Sequence, residues 1–178
     1  MSKLTEKLLE KRTIYKGRIL SLRADTIELP NGEVAFREIV EHSGGAGILV
    51  VDKNDTIYLV MQYRYAYNKS ILEIPAGKLT IGEDPAYCAI RELQEETGLI
   101  AGKCKLIHTI YPTCGYSSEI ISIFSATDIT HGEINLDEDE FVELVRMPFN
   151  KALELVISGE INDAKTVIAI YHYALNNK

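Results

Sequence analysis

Residues 77–99 read GKLTIGEDPAYCAIRELQEETGL, and the rest of the fold is read outward from them. Residues 85–97 form the clearest helical pattern in the chain. Asp84 suits the N-cap, where a carboxylate accepts the orphan N–H groups of the first turn. Pro85 suits the first helical position and Gly98 the left-handed stop. At about 100° per residue, Ala86, Ala89, Ile90, Leu93 and Thr97 fall on one stripe, which is expected to face a core. Glu92, Glu95 and Glu96 fall on the opposite side within a sector of roughly 100°. Glu83 lies just before the helix, where a reversing loop would bring it close.

An acidic helix face is ordinarily a solvated one. Two details cut against that default. The acids repel at i,i+3 and i,i+4, and they occupy the last turns, where the helix macrodipole disfavours anions. Each conflict costs only about 0.2–0.5 kcal/mol, but all have the same sign. No lysine in the segment is placed to relieve them, and Arg91 is merely adjacent in sequence. A hard divalent cation resolves the conflict, because Mg²⁺ takes carboxylate oxygens and keeps places for waters and substrate phosphates.

Upstream, the chain is strand-like. Residues 26–29 and 34–40 flank Pro30-Asn31-Gly32, whose Asn-Gly pair signals a hairpin. Residues 48–51 read as a buried strand and 56–63 as its hairpin partner across Asp52-Lys53-Asn54-Asp55. Downstream, strand patterns cover 119–126 and 141–145, and helical patterns cover 150–158 and 162–175. Strands and helices mixed without a βαβ rhythm predict an α+β sandwich. Residues 1–42 are expected to form a subsidiary antiparallel β-layer needing a partner surface, with 43–178 as the main domain.

Composition narrows the function. With 178 residues, 46% of them hydrophobic, the chain suits one compact domain and is too apolar for disorder. No run approaches the roughly 18–20 apolar residues of a membrane span, and the N-terminus lacks the apolar core of a signal peptide. Three cysteines, Cys88, Cys104 and Cys114, argue for a reducing, cytoplasmic setting. A net charge of −7 argues against a nucleic-acid partner, though not against a small phosphorylated ligand held by local arginines. His42, His108, His131 and His172 lack metal-ligand spacing. Gly44-Gly45-Ala46-Gly47 lacks the lysine of a phosphate loop and reads as a turn.

Gly77, Glu83, Arg91-Glu92-Leu93, Glu95-Glu96 and Gly98-Leu99 resemble the Nudix box, G-x5-E-x7-R-E-U-x-E-E-x-G-U with U aliphatic, at every position. The flanks are similar to the ADP-ribose pyrophosphatase branch. They comprise residues 37–42, Tyr63-Arg64, the run Glu73-Ile74-Pro75-Ala76-Gly77-Lys78-Leu79, residues 82–85, Asp137-Glu138-Asp139-Glu140 and residues 159–166. One departure stands out. Cys114 takes the place where the branch usually carries a proline, and Pro112 lies two residues earlier.

The resemblance implies a Nudix α/β/α sandwich with a mixed sheet and a Mg²⁺-dependent hydrolase, with Mn²⁺ as a substitute. Its implied reaction splits ADP-ribose into AMP and ribose 5-phosphate. The changed loop keeps open another nucleoside diphosphate sugar or dinucleotide, such as GDP-mannose; a nucleotide-sensing module without turnover is the third reading. By the same resemblance, Glu92 and Glu96 are metal ligands with the Ala76 carbonyl. Glu95 joins them through water or at a second metal, and Glu83 is a weaker candidate. Arg91 fixes a glutamate by a charge-assisted hydrogen bond. The general base is sought at Glu138 or Glu140, with Glu119 third; a run of four acids is otherwise a solvated turn. Arg37 and Arg64 are expected on the phosphates, with Glu73 and Arg18 also assigned to substrate. Tyr15, Arg18, Phe36 and Tyr116 are candidates for stacking on adenine, although core packing is the expected place of Phe36. The branch implies a homodimer in which residues 1–42 of one protomer line the other's site.

Overall fold

The computed structural model of the protein describes residues 3–136 and 140–177, and the chain divides into two units. The first comprises Met1–Gly44 together with Tyr111–Ile120. Its strands β1 (Lys7–Lys16), β2 (Leu20–Glu28) and β3 (Val34–His42) form an antiparallel sheet in that order. Gly32, at φ +87°, closes the Asn-Gly turn between β2 and β3, and its N–H donates to the Leu29 carbonyl at 2.9 Å. Segment Tyr111–Ile120 joins β3 through Val40 N–H to Tyr116 O at 2.8 Å and Ser118 N–H to Val40 O at 2.9 Å.

Two features of this unit escaped the sequence pattern. β1 is exposed at every position, and its register against β2 shifts after Leu8 and after Thr13. Those irregularities break the period of two by which a strand is recognised. Phe36, expected in a core, is 74% exposed; it shares the outward face of β3 with Val34 and Glu38.

The second unit comprises Gly45–Ile110 and Ile121–Lys178. It runs β4 (Gly45–Val51), β5 (Thr56–Arg64), a 3-10 turn (Tyr65–Tyr67), β6 (Lys69–Glu73), β7 (Ala76–Lys78) and α1 (Pro85–Thr97). There follow β8 (Leu99–Ile100), β9 (Lys103–Ile110), β10 (Ile121–Thr127), β11 (Thr130–His131), β12 (Val142–Pro148), α2 (Phe149–Ser158) and α3 (Ala164–Asn176). The main sheet has the order β12-β5-β4-β10-β9, with β6 added to β5 and β7 to β4. β4 and β10 run parallel while their other neighbours are antiparallel, so the sheet is mixed.

Strand alternation sends side chains to two separate cores. Leu49, Ile57, Leu59 and Ile123 pack with Phe149, Ala152 and Val156 of α2 and with Ala169 and Ile170 of α3. Ile48, Val50, Tyr58 and Phe124 point the other way, onto Cys88, Ala89 and Leu93 of α1. Helices therefore cover both faces, and the α/β/α sandwich follows from the pleat. Among the described residues no helix is long and apolar enough to cross a membrane.

Leu93 is fully buried beneath α1, whereas Tyr87 on the same helix is 65% exposed. Leu93→Ala is expected to destabilise the protein by about 2–5 kcal/mol in urea denaturation. Tyr87→Ala is expected to change stability by no more than about 0.5 kcal/mol.

Candidate active site

Helix α1 starts and stops where its sequence dictates. The Asp84 carboxylate accepts from Ala86 N–H at 2.9 Å and Tyr87 N–H at 3.2 Å, and Gly98 ends the helix at φ +71°. Its acidic side is not solvated, as the charge conflict argued, although the helical wheel set it opposite the core stripe. Glu92 is 6% and Glu96 3% exposed, alongside Cys88, Ala89, Leu93 and Thr97, while Ala86 and Ile90 are only half-buried. The cause is tertiary: the backbone at β7 lies against these two carboxylates. A Cβ at Gly77 would stand 1.8 Å from Glu92 Oε1, so no other residue fits there without moving the carboxylate. Beside it, Ala76 N–H donates to Glu96 Oε2 at 3.1 Å. Ala76 thus meets Glu96 through its N–H, whereas the resemblance implied a role for its carbonyl.

Burial without enough positive charge leaves both acids reluctant to ionise. Glu92 is pushed up to about 7 and Glu96 to about 8, chiefly by desolvation and then by neighbouring carboxylates, Glu140 among them. Arg91 is more than an adjacent residue. Its Nε lies 3.0 Å from Glu83 Oε1, and its Nη1 lies 2.9 Å from Glu92 Oε1 and 2.7 Å from Glu95 Oε2. One guanidinium therefore gathers three glutamates, relieving the repulsion that the sequence left without a counterion. Glu83 also accepts from Thr80 N–H at 2.9 Å, and Arg91 with that bond holds its carboxyl below the usual range.

A second network lies at the end of β6. Arg64 forks onto Glu73, with Nε at 2.6 Å from Oε1 and Nη2 at 2.7 Å from Oε2. Lys165 of α3 bonds the same carboxylate and stands 3.1 Å from Asp163 Oδ2. Despite desolvation, these two cations keep the Glu73 carboxyl below its ordinary value. The fields of this network and of the α1 acids overlap: Glu96 acts on Arg64, and Lys165 acts on Glu96. Lys165 was missed as a site residue. Its signal was present, as a lysine in the apolar run 164–170 where a charge must find a partner.

The remaining expected residues are distributed as follows. Glu140 is half-buried and its charge bears on Glu92 and Glu96, whereas Glu138 lies outside the described residues. Glu95 is half-exposed and paired with Arg91. In the first unit, Arg37 bonds Glu6 with Nε at 3.1 Å and also through Nη2, so its fork meets a carboxylate. Arg18 is exposed on the β1–β2 turn, and Glu119 stands 3.4 Å from His42 Nδ1. Tyr15 and Tyr116 are exposed. Burial pushes the Cys88 thiol up to about 12, while Cys114 is exposed. No group of three or more His, Cys, Asp or Glu among the described residues forms a ready metal cluster. Two buried carboxylates with raised pKa values nevertheless suit a hard dication, which needs few protein ligands when waters and phosphate oxygens supply the rest.

A mixed sheet between helices, with glutamates of one helix pressed onto a glycine turn, defines a class of hydrolase. The NUDIX domain profile matches residues 41–169, and this chain belongs to that family. The profile of the nucleoside diphosphate sugar hydrolase N-terminal domain matches residues 6–40. Among its relatives, the ADP-ribose pyrophosphatase of Bacillus subtilis (strain 168) is 42% identical over 98% of this chain and 96% of that one. The methanol dehydrogenase activator of Bacillus methanolicus is 40% identical over 96% of this chain and 93% of its own. The GDP-mannose pyrophosphatase of Salmonella typhimurium is 36% identical over 89% of this chain and 92% of its own. A solved ADP compounds hydrolase superposes with a TM-score of 0.84 at 23% identity, covering 98% of this chain and 95% of that one, which shows the shared fold.

The raised acids set a pH dependence. Glu92 and Glu96 retain protons that the unfolded chain releases near pH 4.5, so the metal-free fold loses stability as pH rises through about 7 and 8. A dication competes with those protons. Mn²⁺ affinity by calorimetry is therefore expected to climb between pH 6 and 8, by up to about tenfold per pH unit for each proton displaced. A flat profile would contradict the assignment.

Proposed function

We propose that this Nudix hydrolase cleaves the diphosphate bond of ADP-ribose, giving AMP and ribose 5-phosphate, with Mg²⁺ as its resident ion and Mn²⁺ as a substitute. The observation that carries the reading is the pair of buried carboxylates, Glu92 and Glu96, seated on the Ala76–Gly77 backbone. The naming of the Bacillus subtilis relative supports the substrate, since the similarity runs through both the NUDIX region and the N-terminal segment.

Glu92, Glu96 and the Ala76 carbonyl would hold the ion, with Glu95 as a further ligand through water. When bound, Mg²⁺ neutralises diphosphate oxygens and makes a water more acidic. The chain's own residues supply the rest. Arg91 holds Glu83, Glu92 and Glu95 in one orientation. Glu140 takes the proton from the attacking water, as the described base candidate whose charge bears on both buried acids; Glu138 is the other candidate. Arg64, oriented by Glu73, is assigned to the phosphates, and Arg37, paired with Glu6, is the candidate of the first unit. Arg18, Tyr15 and Tyr116 are the exposed candidates for the nucleoside.

The protein acts as a homodimer whose N-terminal layers are exchanged. Support comes from β1, exposed throughout, and from the uncovered Leu8, Leu9, Ile14, Tyr15 and Phe36 of that sheet. Unpaired Cys88, Cys104 and Cys114 fit a cytoplasmic setting.

Glu96→Gln removes one ionisable oxygen and keeps the shape. It is expected to lower ADP-ribose turnover by about two orders of magnitude or more while the fold persists, since the buried charge it deletes was itself costly. Near-normal activity of that variant at saturating Mg²⁺ would remove the metal assignment. Solution scattering at micromolar concentration is expected to return twice the chain mass; a monomer would remove the dimer.

A further inference from the structure

The segment linking β6 to β7, residues 73–76, is bonded at each residue in turn. Glu73 takes Arg64 and Lys165 on its carboxylate. Ile74 N–H donates to Thr166 Oγ1 at 2.8 Å, and Pro75 O accepts from Ile48 N–H at 2.9 Å. Ala76 N–H ends the series on Glu96. Two of these five anchors, Lys165 and Thr166, belong to the first turn of α3. That turn is itself stiffened, because Asp163 accepts from Thr166 N–H at 3.0 Å and Thr166 Oγ1 at 2.6 Å and sits 3.1 Å from Lys165 Nζ.

We infer that Lys165 and Thr166 are positioning residues, which clamp residues 73–76 from α3 and so hold the Ala76–Gly77 backbone in register with the Glu92 and Glu96 carboxylates. The inference rests on the proposed metal site and extends it to a helix remote in sequence. Burial favours this role over simple stabilisation. Glu73 is 3% exposed, Lys165 7% and Thr166 fully buried. A buried ion pair contributes little net stability compared with apolar residues of the same volume, but it fixes geometry sharply. The approach is close, since a Cβ at Gly77 would overlap the Glu92 carboxylate, which Arg91 also holds at 2.9 Å. A backbone displaced there by even a fraction of an ångström changes where two carboxylate oxygens stand, and supporting residues of a metal site act in this way.

The test compares the full-length chain with Lys165→Met, which keeps the stem and loses the charge, and Thr166→Val, which keeps the shape and loses the acceptor of the Ile74 N–H. In Lys165→Met the Glu73 carboxylate keeps Arg64 as a partner. Free Mn²⁺ is followed by electron paramagnetic resonance without nucleotide, and hydrolysis kinetics follow. Each variant is expected to weaken Mn²⁺ binding about ten- to a hundredfold. Each is also expected to lower kcat while KM for the sugar nucleotide moves less than about twofold, and Lys165→Arg is expected to recover part of the loss. Folded variants that bind Mn²⁺ like the wild type and keep its kcat, with only a lower Tm, overturn the inference. Should Lys165→Met fail to fold, Thr166→Val decides by the same readouts. Wild-type protein that takes up no Mn²⁺ overturns the proposed metal site and this inference together, whereas a normal wild type with indifferent variants overturns the inference alone.

Discussion

Burying two carboxylates four residues apart on one helix face, against a backbone that offers them one N–H donor, is the constraint around which the second unit is arranged. Desolvation disfavours the ionised forms, and neighbouring carboxylates add to it, Glu92 on Glu96 and Glu95 on Glu92. Such a pair carries an electrostatic conflict that protons relieve and that a cation among the oxygens would also relieve. The rest of the neighbourhood limits the conflict without cancelling it. Arg91 collects Glu83, Glu92 and Glu95 on one guanidinium, and α1 is held from below by Leu93 in a closed apolar core. The helix is thus anchored firmly enough to present an unfavourable face.

The charges nearby are organised by function of position. On one side, a single arginine serves three acids, so the cluster stays net negative and attractive to a dication. On the other, Arg64 and Lys165 both converge on Glu73, and with Asp163 the four charges sum to zero. A neutral, rigid network beside a negative one adds order without adding net charge to it. Arg64 is fixed by the same network: a guanidinium forked onto a buried carboxylate is oriented before any ligand arrives.

The N-terminal unit follows other rules. Its sheet carries apolar side chains in solvent along β1 and at Phe36, and its best internal polar contacts are cross-strand ion pairs such as Arg23 with Glu41 at 2.7 Å. Asp25 is buried there with Oδ1 lacking a hydrogen-bond partner among the described residues. A layer of this kind is marginal alone and needs a partner surface.

Local code determined α1 in full: Asp84, Pro85 and Gly98 set its ends because capping acts over three or four residues and needs no partner. The hairpins at Gly32 and at residues 52–55, and the spacing of Glu92, Glu95 and Glu96, were legible for the same reason. Local code failed wherever the deciding neighbour lay far along the chain. The charge conflict of Glu92 and Glu96 was legible, but not what buries them, because nothing in residues 85–97 announces that Gly77 will lie against them. β1 went unread because bulges broke its alternation, and Lys165 because its partner Glu73 is ninety-two residues away. Periodicity and capping are properties of a few consecutive residues, so sequence alone specified the ends of α1, the turn at Gly32 and the spacing of Glu92, Glu95 and Glu96. Burial, ion pairing and pKa depend on what the folded chain brings alongside, and only the tertiary structure decided those.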